Sequence, residues 1–145
     1  EMTTTAVKRG DKYIINGWKH EITLGGITKL HPIFARVMGN GVGQGIADFI
    51  AILDETPRLV IDRSTPAMGV RGIPETDVNF TDMEVAEDMV VIPTSGLKKG
   101  LVGLMNAYNA QLVGAGTVTL GIAQRVFEET TNIALDRIQF GRPIA

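Results

Sequence analysis

The stretch TTTAVKRGDKYIINGWKHEITLGG, residues 3–26, decides the fold predicted for the first half of the chain. Runs of β-branched and aromatic residues alternate with turn-forming residues: GD at 10–11, NG at 16–17 and LGG at 24–26. The NG pair is the best short hairpin signal, because both residue types tolerate positive φ. We therefore expect strands separated by tight turns, with a hairpin at Asn16 and Gly17.

Further strand-like runs follow: PIFARVM at 32–38, ADFIAILD at 47–54, RLVID at 58–62 and DVNFTDMEV at 77–85. Prolines and glycines separate them, as is typical of all-β domains. Short strands at such regular spacing predict an antiparallel β-barrel or sandwich domain over residues 1–93. The connection GNGVGQG, residues 39–45, lacks the spacing of a dinucleotide fingerprint, so we interpret it as a flexible link between strands.

The pattern changes at Ser95, which is a suitable N-cap residue. Leu97, Leu101 and Leu104 recur at helical spacing. We expect one or two long helices over residues 95–139, and we place the second domain at 94–145.

Glycine weakens an isolated helix by up to about 1 kcal/mol, and this segment has glycines at 100, 103, 114, 116 and 121. Their presence predicts close approach of another backbone or a ligand. The apolar surface of the segment cannot be buried by two helices alone, so we expect partner helices from further sequence or from another chain.

The composition excludes several classes of function. A net charge of −2 over 145 residues gives no electrostatic basis for binding nucleic acid or an anionic membrane. There are no cysteines and only two histidines, so we expect no metal site. No run reaches the roughly 18 apolar residues of a membrane span, and we expect a soluble, cytoplasmic protein. No nucleophile and base can be grouped, so the residues alone leave the function open.

Four ordered stretches resemble the acyl-CoA dehydrogenase family: TTAVKRGDKYIINGWKHEITLGG, MGVRGIPETDVNFTDMEVAEDMVV, KKGLVGLM and TLGIAQRVFEETTNIALDRIQFGRPIA. The last, with its Arg-x-Gln-Phe-Gly-Arg-Pro-Ile end, is the most specific. The resemblance implies a segment that contains the family's central β domain and the start of its C-terminal four-helix bundle. It also implies non-covalent FAD, an acyl-CoA substrate and α,β-dehydrogenation with hydride transfer to flavin N5.

The resemblance assigns two sets of residues to the cofactor. Thr23 is similar to the Thr or Ser whose hydroxyl bonds near flavin N5, and Arg137 to the arginine that reaches the partner subunit's FAD diphosphate. The full set of implied cofactor-binding residues is Glu21, Ile22, Thr23, Arg137, Gln139 and Phe140. The alternatives are an ordinary strand threonine at 23 and a cation favoured by the helix dipole at 137.

Three positions depart from the family pattern. Glu21 stands where a tryptophan normally shields the flavin, and Asn109 and Leu112 stand where Asp and Arg are common. These departures leave open a second hypothesis, a non-catalytic or altered-chemistry relative that serves as a flavin- or CoA-binding or assembly module.

The resemblance also bears on the reaction's other parts. The catalytic base is expected outside this segment, and the 145-residue chain alone is expected to turn over no acyl-CoA. Implied partners are an electron-transfer flavoprotein or similar acceptor and further copies of the chain in a homodimer or homotetramer. The resemblance further implies a role in lipid metabolism.

Overall fold

The computed structural model describes residues 2–56 and 58–145. Seven strands form one sheet in the order β5-β6-β2-β1-β3-β4-β7. Their bounds are β1 Thr5–Arg9, β2 Lys12–Thr23, β3 Leu30–Gly39, β4 Val42–Ile52, β5 Leu59–Thr65, β6 Glu75–Ala86 and β7 Val90–Val91.

The predicted antiparallel, sandwich-like β domain is confirmed, with one difference: β1 and β3 run parallel. The other neighbouring pairs are antiparallel. The second edge of β2 is occupied by β6. Strand β3 therefore joins the free edge of β1, and the turns before it leave it running in the same direction as β1. The described strands β5 and β7 remain as edges, so the barrel is not closed among them.

The sheet curls around one apolar core. Tyr13 of β2 and Phe49 of β4 meet edge to face with ring centroids 5.2 Å apart, although two strands separate them in the sheet. Phe49, Ile15 and Met83 are fully buried. Burying such side chains contributes roughly 1.5–3 kcal/mol each relative to leaving them exposed, so this core supports the strands described below.

The hairpin predicted at Asn16 and Gly17 is wrong. Both residues lie inside β2, at a register shift opposite β6. Asn16 Nδ2 donates to Asp82 Oδ1 at 3.1 Å, and the Asp82 N–H donates to Asn16 Oδ1 at 2.8 Å. This cross-strand pair turns the expected turn residues into a β-bulge. The hairpin lies instead at the GD pair, where Gly10 has a φ of 66°.

The glycine-rich stretch 39–45 connects two strands, as predicted, but only residues 40–41 form the turn, because the rest of the stretch belongs to β3 and β4. Gly45 fits closely under a short 3₁₀ helix, Leu97–Lys99: an added Cβ would lie 2.1 Å from Leu97 O. An added Cβ on Gly100 would lie 1.9 Å from Ile46 O. The predicted close backbone approach is therefore confirmed at Gly100.

One continuous helix, α1, spans Gly100–Asp136, which is one of the two predicted arrangements, although it begins later and ends earlier than residues 95–139. Ser95 is not the N-cap of α1. The 3₁₀ helix precedes α1, and the N-cap of that 3₁₀ helix is Gly96. The glycines at 114, 116 and 121 have no heavy atom near an added Cβ, so their proposed contact with partner helices stays a prediction. A two-stranded hairpin, β8 Ile138–Gln139 and β9 Arg142–Pro143, follows α1.

The chain divides into two compact units, Glu1–Gly103 and Leu104–Ala145. Among the helices of the described residues, none combines the length and the apolar character needed to cross a membrane.

Candidate functional site

The last third of β2 is distorted by a bulge. Lys19 pairs with Val78 and Ile22 pairs with Thr76, so the two residues between them, His20 and Glu21, face Asp77 alone. Glu21 takes a φ of 55°. Positive φ is uncommon for a residue other than glycine and persists where surrounding contacts enforce it. The bulge therefore needs a stabilising contact, and Asp77 supplies it.

Asp77 holds both extra residues through one oxygen. Its Oδ1 accepts the Glu21 N–H at 3.4 Å and is hydrogen-bonded to His20 Nδ1. The other imidazole nitrogen, Nε2, lies 3.7 Å from Glu21 Oε1. The Trp18 ring packs edge-on against His20 with centroids 5.6 Å apart. Among Asp77, His20 and Glu21, Asp77 has the least exposed side chain: 19% of it is accessible to solvent, whereas 63% of the Glu21 side chain is accessible.

The two residues of β6 that precede Asp77 also hold β2 through their side chains. Thr76 Oγ1 donates to Ile22 O at 3.3 Å. Thr23 Oγ1 donates to Glu75, at 2.9 Å from Oε1 and 3.0 Å from Oε2. Residues 75, 76 and 77 thus fix residues 23, 22 and 21 in turn. The three residues predicted to contact the flavin ring form one ordered strand segment, which we call the β2 segment (residues 20–23).

The sequence does not single out Glu75 or Asp77. Their partners are more than fifty positions away, and only the strand register brings them together. The available signal is weak: two acidic residues in the run ETDV, at the start of a strand that also carries Asp82 and Glu84.

A small cavity that Ile22 of the β2 segment helps to line is also lined by two ionisable side chains. Lys19 and His31 line a cavity of about 20 Å³ with Ile22, Leu59, Val78 and other apolar residues. Burial lowers the pKa of Lys19, because desolvation disfavours its charged form. Elsewhere in the sheet, burial raises the pKa of Asp48, and hydrogen bonds from the backbone of Ile33 and Phe49 oppose the shift.

The second predicted set of residues lies after α1. Arg137, Gln139 and Phe140 line one open cleft of about 560 Å³, together with Arg142 and residues 143–145. Phe140 is 99% exposed and sits at the tip of the β8–β9 hairpin, where its φ is 52°. The main chain of Arg137 is fixed at both ends, since its N–H donates to Ile133 O at 2.9 Å and its carbonyl accepts from Ile144 at 3.1 Å.

The donor set of this cleft suits a phosphate ligand. Two guanidinium groups stay charged at every relevant pH and can bind phosphate oxygens in pairs, and an exposed aromatic ring lies beside them. Arg142 adds a second cation to the predicted Arg137; it belongs to the same Arg-x-Gln-Phe-Gly-Arg-Pro-Ile motif but was not assigned to the cofactor. Arg137 directly follows the last residue of α1, so the alternative of a cation favoured by the helix dipole also fits its position.

The departures Asn109 and Leu112 lie on α1, where both are exposed. Glu21 lies on the β2 segment. Each predicted set is thus brought together within its own compact unit: residues 21–23 in the first, and Arg137, Gln139 and Phe140 in the second. Across residues 2–56 and 58–145, no group of His, Cys, Asp or Glu is arranged to hold a metal ion.

Comparison with known proteins gives the chain's relationships. No family profile matches it. Four curated relatives named 3-sulfinopropanoyl-CoA desulfinase are 51–58% identical over the whole chain, among them the Cupriavidus necator protein at 57%. A cyclohex-1-ene-1-carbonyl-CoA dehydrogenase of Syntrophus aciditrophicus is 35% identical over 99% of the chain, which covers 34% of that protein.

Solved structures give the same result. The butyryl-CoA dehydrogenase of Megasphaera elsdenii matches 99% of the chain with a TM-score of 0.83 and 28% identity, and the chain covers 37% of it. The chain likewise spans 37% of the length of the desulfinases that it matches. The predicted family resemblance, to a segment and over the whole chain, is confirmed.

Proposed function

Because the whole chain is homologous to a segment of acyl-CoA dehydrogenase family proteins, we propose that it is part of an FAD-binding enzyme that acts on an acyl-CoA thioester. In this proposal the β2 segment meets the flavin ring of one subunit's FAD, and Arg137 and Arg142 bind the diphosphate of the FAD held by the partner subunit. When bound, FAD supplies a ring that can accept hydride. The chain's own residues position that ring through main-chain groups of residues 21–23 and hold the phosphate charge.

We propose removal of the sulfinate group from a short 3-sulfinoacyl-CoA as the reaction. The observation that carries this choice is the difference in identity: 51–58% to four proteins named as desulfinases, against 31–35% to proteins named as dehydrogenases. A short acyl chain with an anionic end is the substrate class that this name describes.

The charges of the β2 segment support the same choice. Glu21, Glu75 and Asp77 place three carboxyl groups around residues 20–23, with His20 between two of them. Negative charge opposes the extra electron density of a reduced flavin. Replacing a carbon–sulfur bond by carbon–hydrogen, while water adds to sulfur to give sulfite, leaves no electrons on the cofactor. The acidic surroundings are therefore compatible with this reaction.

The second candidate is α,β-dehydrogenation, which is favoured by the dehydrogenase relatives. It requires a carboxylate base from outside the chain and an acceptor such as an electron-transfer flavoprotein. Both candidates need partner helices, because large apolar residues of α1 are exposed, including Leu112, Val113, Leu120 and Phe127. We propose that they are covered in a homodimer or homotetramer. The third possibility is a binding or assembly module without turnover.

One experiment separates the three. The complete protein that contains this segment is loaded with FAD and mixed with 3-sulfinopropanoyl-CoA or with butyryl-CoA. Sulfite release without loss of the flavin's visible absorbance supports desulfination. Bleaching by butyryl-CoA supports dehydrogenation and overturns the first choice. Binding of either thioester with neither product supports the module.

A further inference from the structure

We propose that Glu75 takes the hydroxyl hydrogen of Thr23 and so leaves Thr23 with only lone pairs to offer the ligand. This inference rests on the proposed FAD site and adds a role for Glu75, which the sequence does not reveal. The ligand group that fits Thr23 is then a hydrogen-bond donor. Glu75 is a positioning residue, because it acts through Thr23.

The hydrogen-bond donors and acceptors of Thr23 and Glu75 decide where the hydroxyl hydrogen goes. A threonine hydroxyl has one hydrogen and two lone pairs, whereas a carboxylate has acceptors only. Thr23 Oγ1 lies 2.9 and 3.0 Å from the two Glu75 oxygens. Its single hydrogen is therefore shared between those two acceptors. Hydrogen bonds to carboxylates are stronger than neutral ones, so a neutral ligand nitrogen competes poorly for this hydrogen.

The register keeps the two side chains together. Thr23 and Glu75 are directly paired residues of β2 and β6, where paired side chains are about 4.5–5.5 Å apart at Cβ. The adjacent contact from Thr76 to Ile22 O fixes the backbone beside them. Oxidised flavin has no hydrogen at N5. In this arrangement Thr23 therefore has no hydrogen to donate to that atom.

A double-mutant cycle on the complete protein tests the proposal. The measured quantity is the dissociation constant for oxidised FAD, followed by quenching of flavin fluorescence, for wild type, Thr23→Val, Glu75→Met and the double variant. Thr23→Val is expected to change the affinity by less than about twofold in the wild-type background. In the Glu75→Met background, where the hydroxyl is free to donate, it is expected to weaken binding about three- to tenfold, the value of one net hydrogen bond.

The cycle separates the effect of the Thr23 hydroxyl from the effect of the Glu75 charge. Each comparison of threonine with valine is made in one background, where that charge is either present in both proteins or absent from both. Glu84→Met is the matched control on the same strand. Glu84 pairs with Lys12 at 2.6 Å and is remote in register from Thr23, so it should show no coupling. Glu75→Ala replaces Glu75→Met if circular dichroism shows that the methionine variant is not folded.

Equal weakening by Thr23→Val in both backgrounds overturns the inference, since Thr23 would then donate to the flavin despite Glu75. The inference is also overturned if Thr23→Val leaves the FAD affinity unchanged in both backgrounds. In both cases the proposed function stands, because FAD is bound. Failure of the wild-type protein to bind FAD would instead contradict the proposed function itself.

Discussion

Asp77→Ala removes the acceptor that holds the bulge of the β2 segment. The lost contacts are the Glu21 N–H at 3.4 Å and His20 Nδ1. A net hydrogen bond contributes about 0.5–1.5 kcal/mol, and the long first contact and the exposed imidazole place both toward the lower half of that range. The expected loss in the free energy of unfolding is therefore about 1–2 kcal/mol.

The same change should weaken FAD binding, because Glu21 keeps its positive φ only while the bulge is held. We expect the affinity to fall about three- to tenfold. Urea denaturation and FAD titration of the complete protein measure the two effects. Asp77→Asn keeps an oxygen acceptor at the same place, so it should retain more of both stability and affinity than the alanine variant.

Asp62→Ala is the matched control. Asp62 accepts one exposed hydrogen bond, from Asn79 Nδ2 at 3.0 Å, and makes no contact with the bulge among the hydrogen bonds of the described residues. Its removal should cost no more than about 0.5 kcal/mol and leave FAD affinity unchanged. If Asp62→Ala and Asp77→Ala prove equally destabilising and neither alters FAD binding, the role assigned to Asp77 is wrong.

Three further changes test other parts of the account. Glu21→Trp removes a carboxyl group beside the flavin and should raise the reduction potential by about 30 mV, equal to about 1.4 kcal/mol for a two-electron couple; an unchanged potential and spectrum would refute the effect assigned to Glu21. The pKa of Lys19 is lowered in the folded state by burial, so the wild type gains stability as the pH rises from that lowered value toward the ordinary 10.5. Lys19→Met lacks the buried charge, so its stability should exceed that of the wild type most at neutral pH. Thermal unfolding of both proteins between neutral and alkaline pH should show a shrinking difference, and a constant difference would contradict it. Arg137→Gln should weaken FAD binding about ten- to hundredfold, the value of a charge-assisted contact. Arg125→Gln breaks ion pairs with Glu128 and Glu129 on α1 and should leave FAD binding unchanged. Equal effects of the two variants in an FAD titration would exclude the cleft from the cofactor site.

The sequence predicted those features that are local. The runs at 32–38, 47–54 and 58–62 overlap β3, β4 and β5, because alternation and β-branched content act over a few residues. Arg137, Gln139 and Phe140 could be assigned together because they belong to one contiguous motif, and all three line one cleft.

The features missed by sequence reasoning depend on contacts between distant residues. The NG pair has the propensity of a hairpin turn, but its pairing with Asp82 makes it a bulge instead. The parallel contact between β1 and β3 arises because β6, more than fifty residues later, occupies β2's other edge. Glu75 and Asp77 belong to the candidate site only through the register of β6, which no short motif encodes.

The flavin content of the complete protein tests the central claim most directly. Purified protein, or protein incubated with FAD and freed of excess, should show the visible absorption of bound flavin in a fixed ratio to the chain, and Arg137→Gln should lose that flavin on dilution before the wild type does. A colourless wild-type protein that neither retains FAD nor quenches its fluorescence on titration would contradict the account.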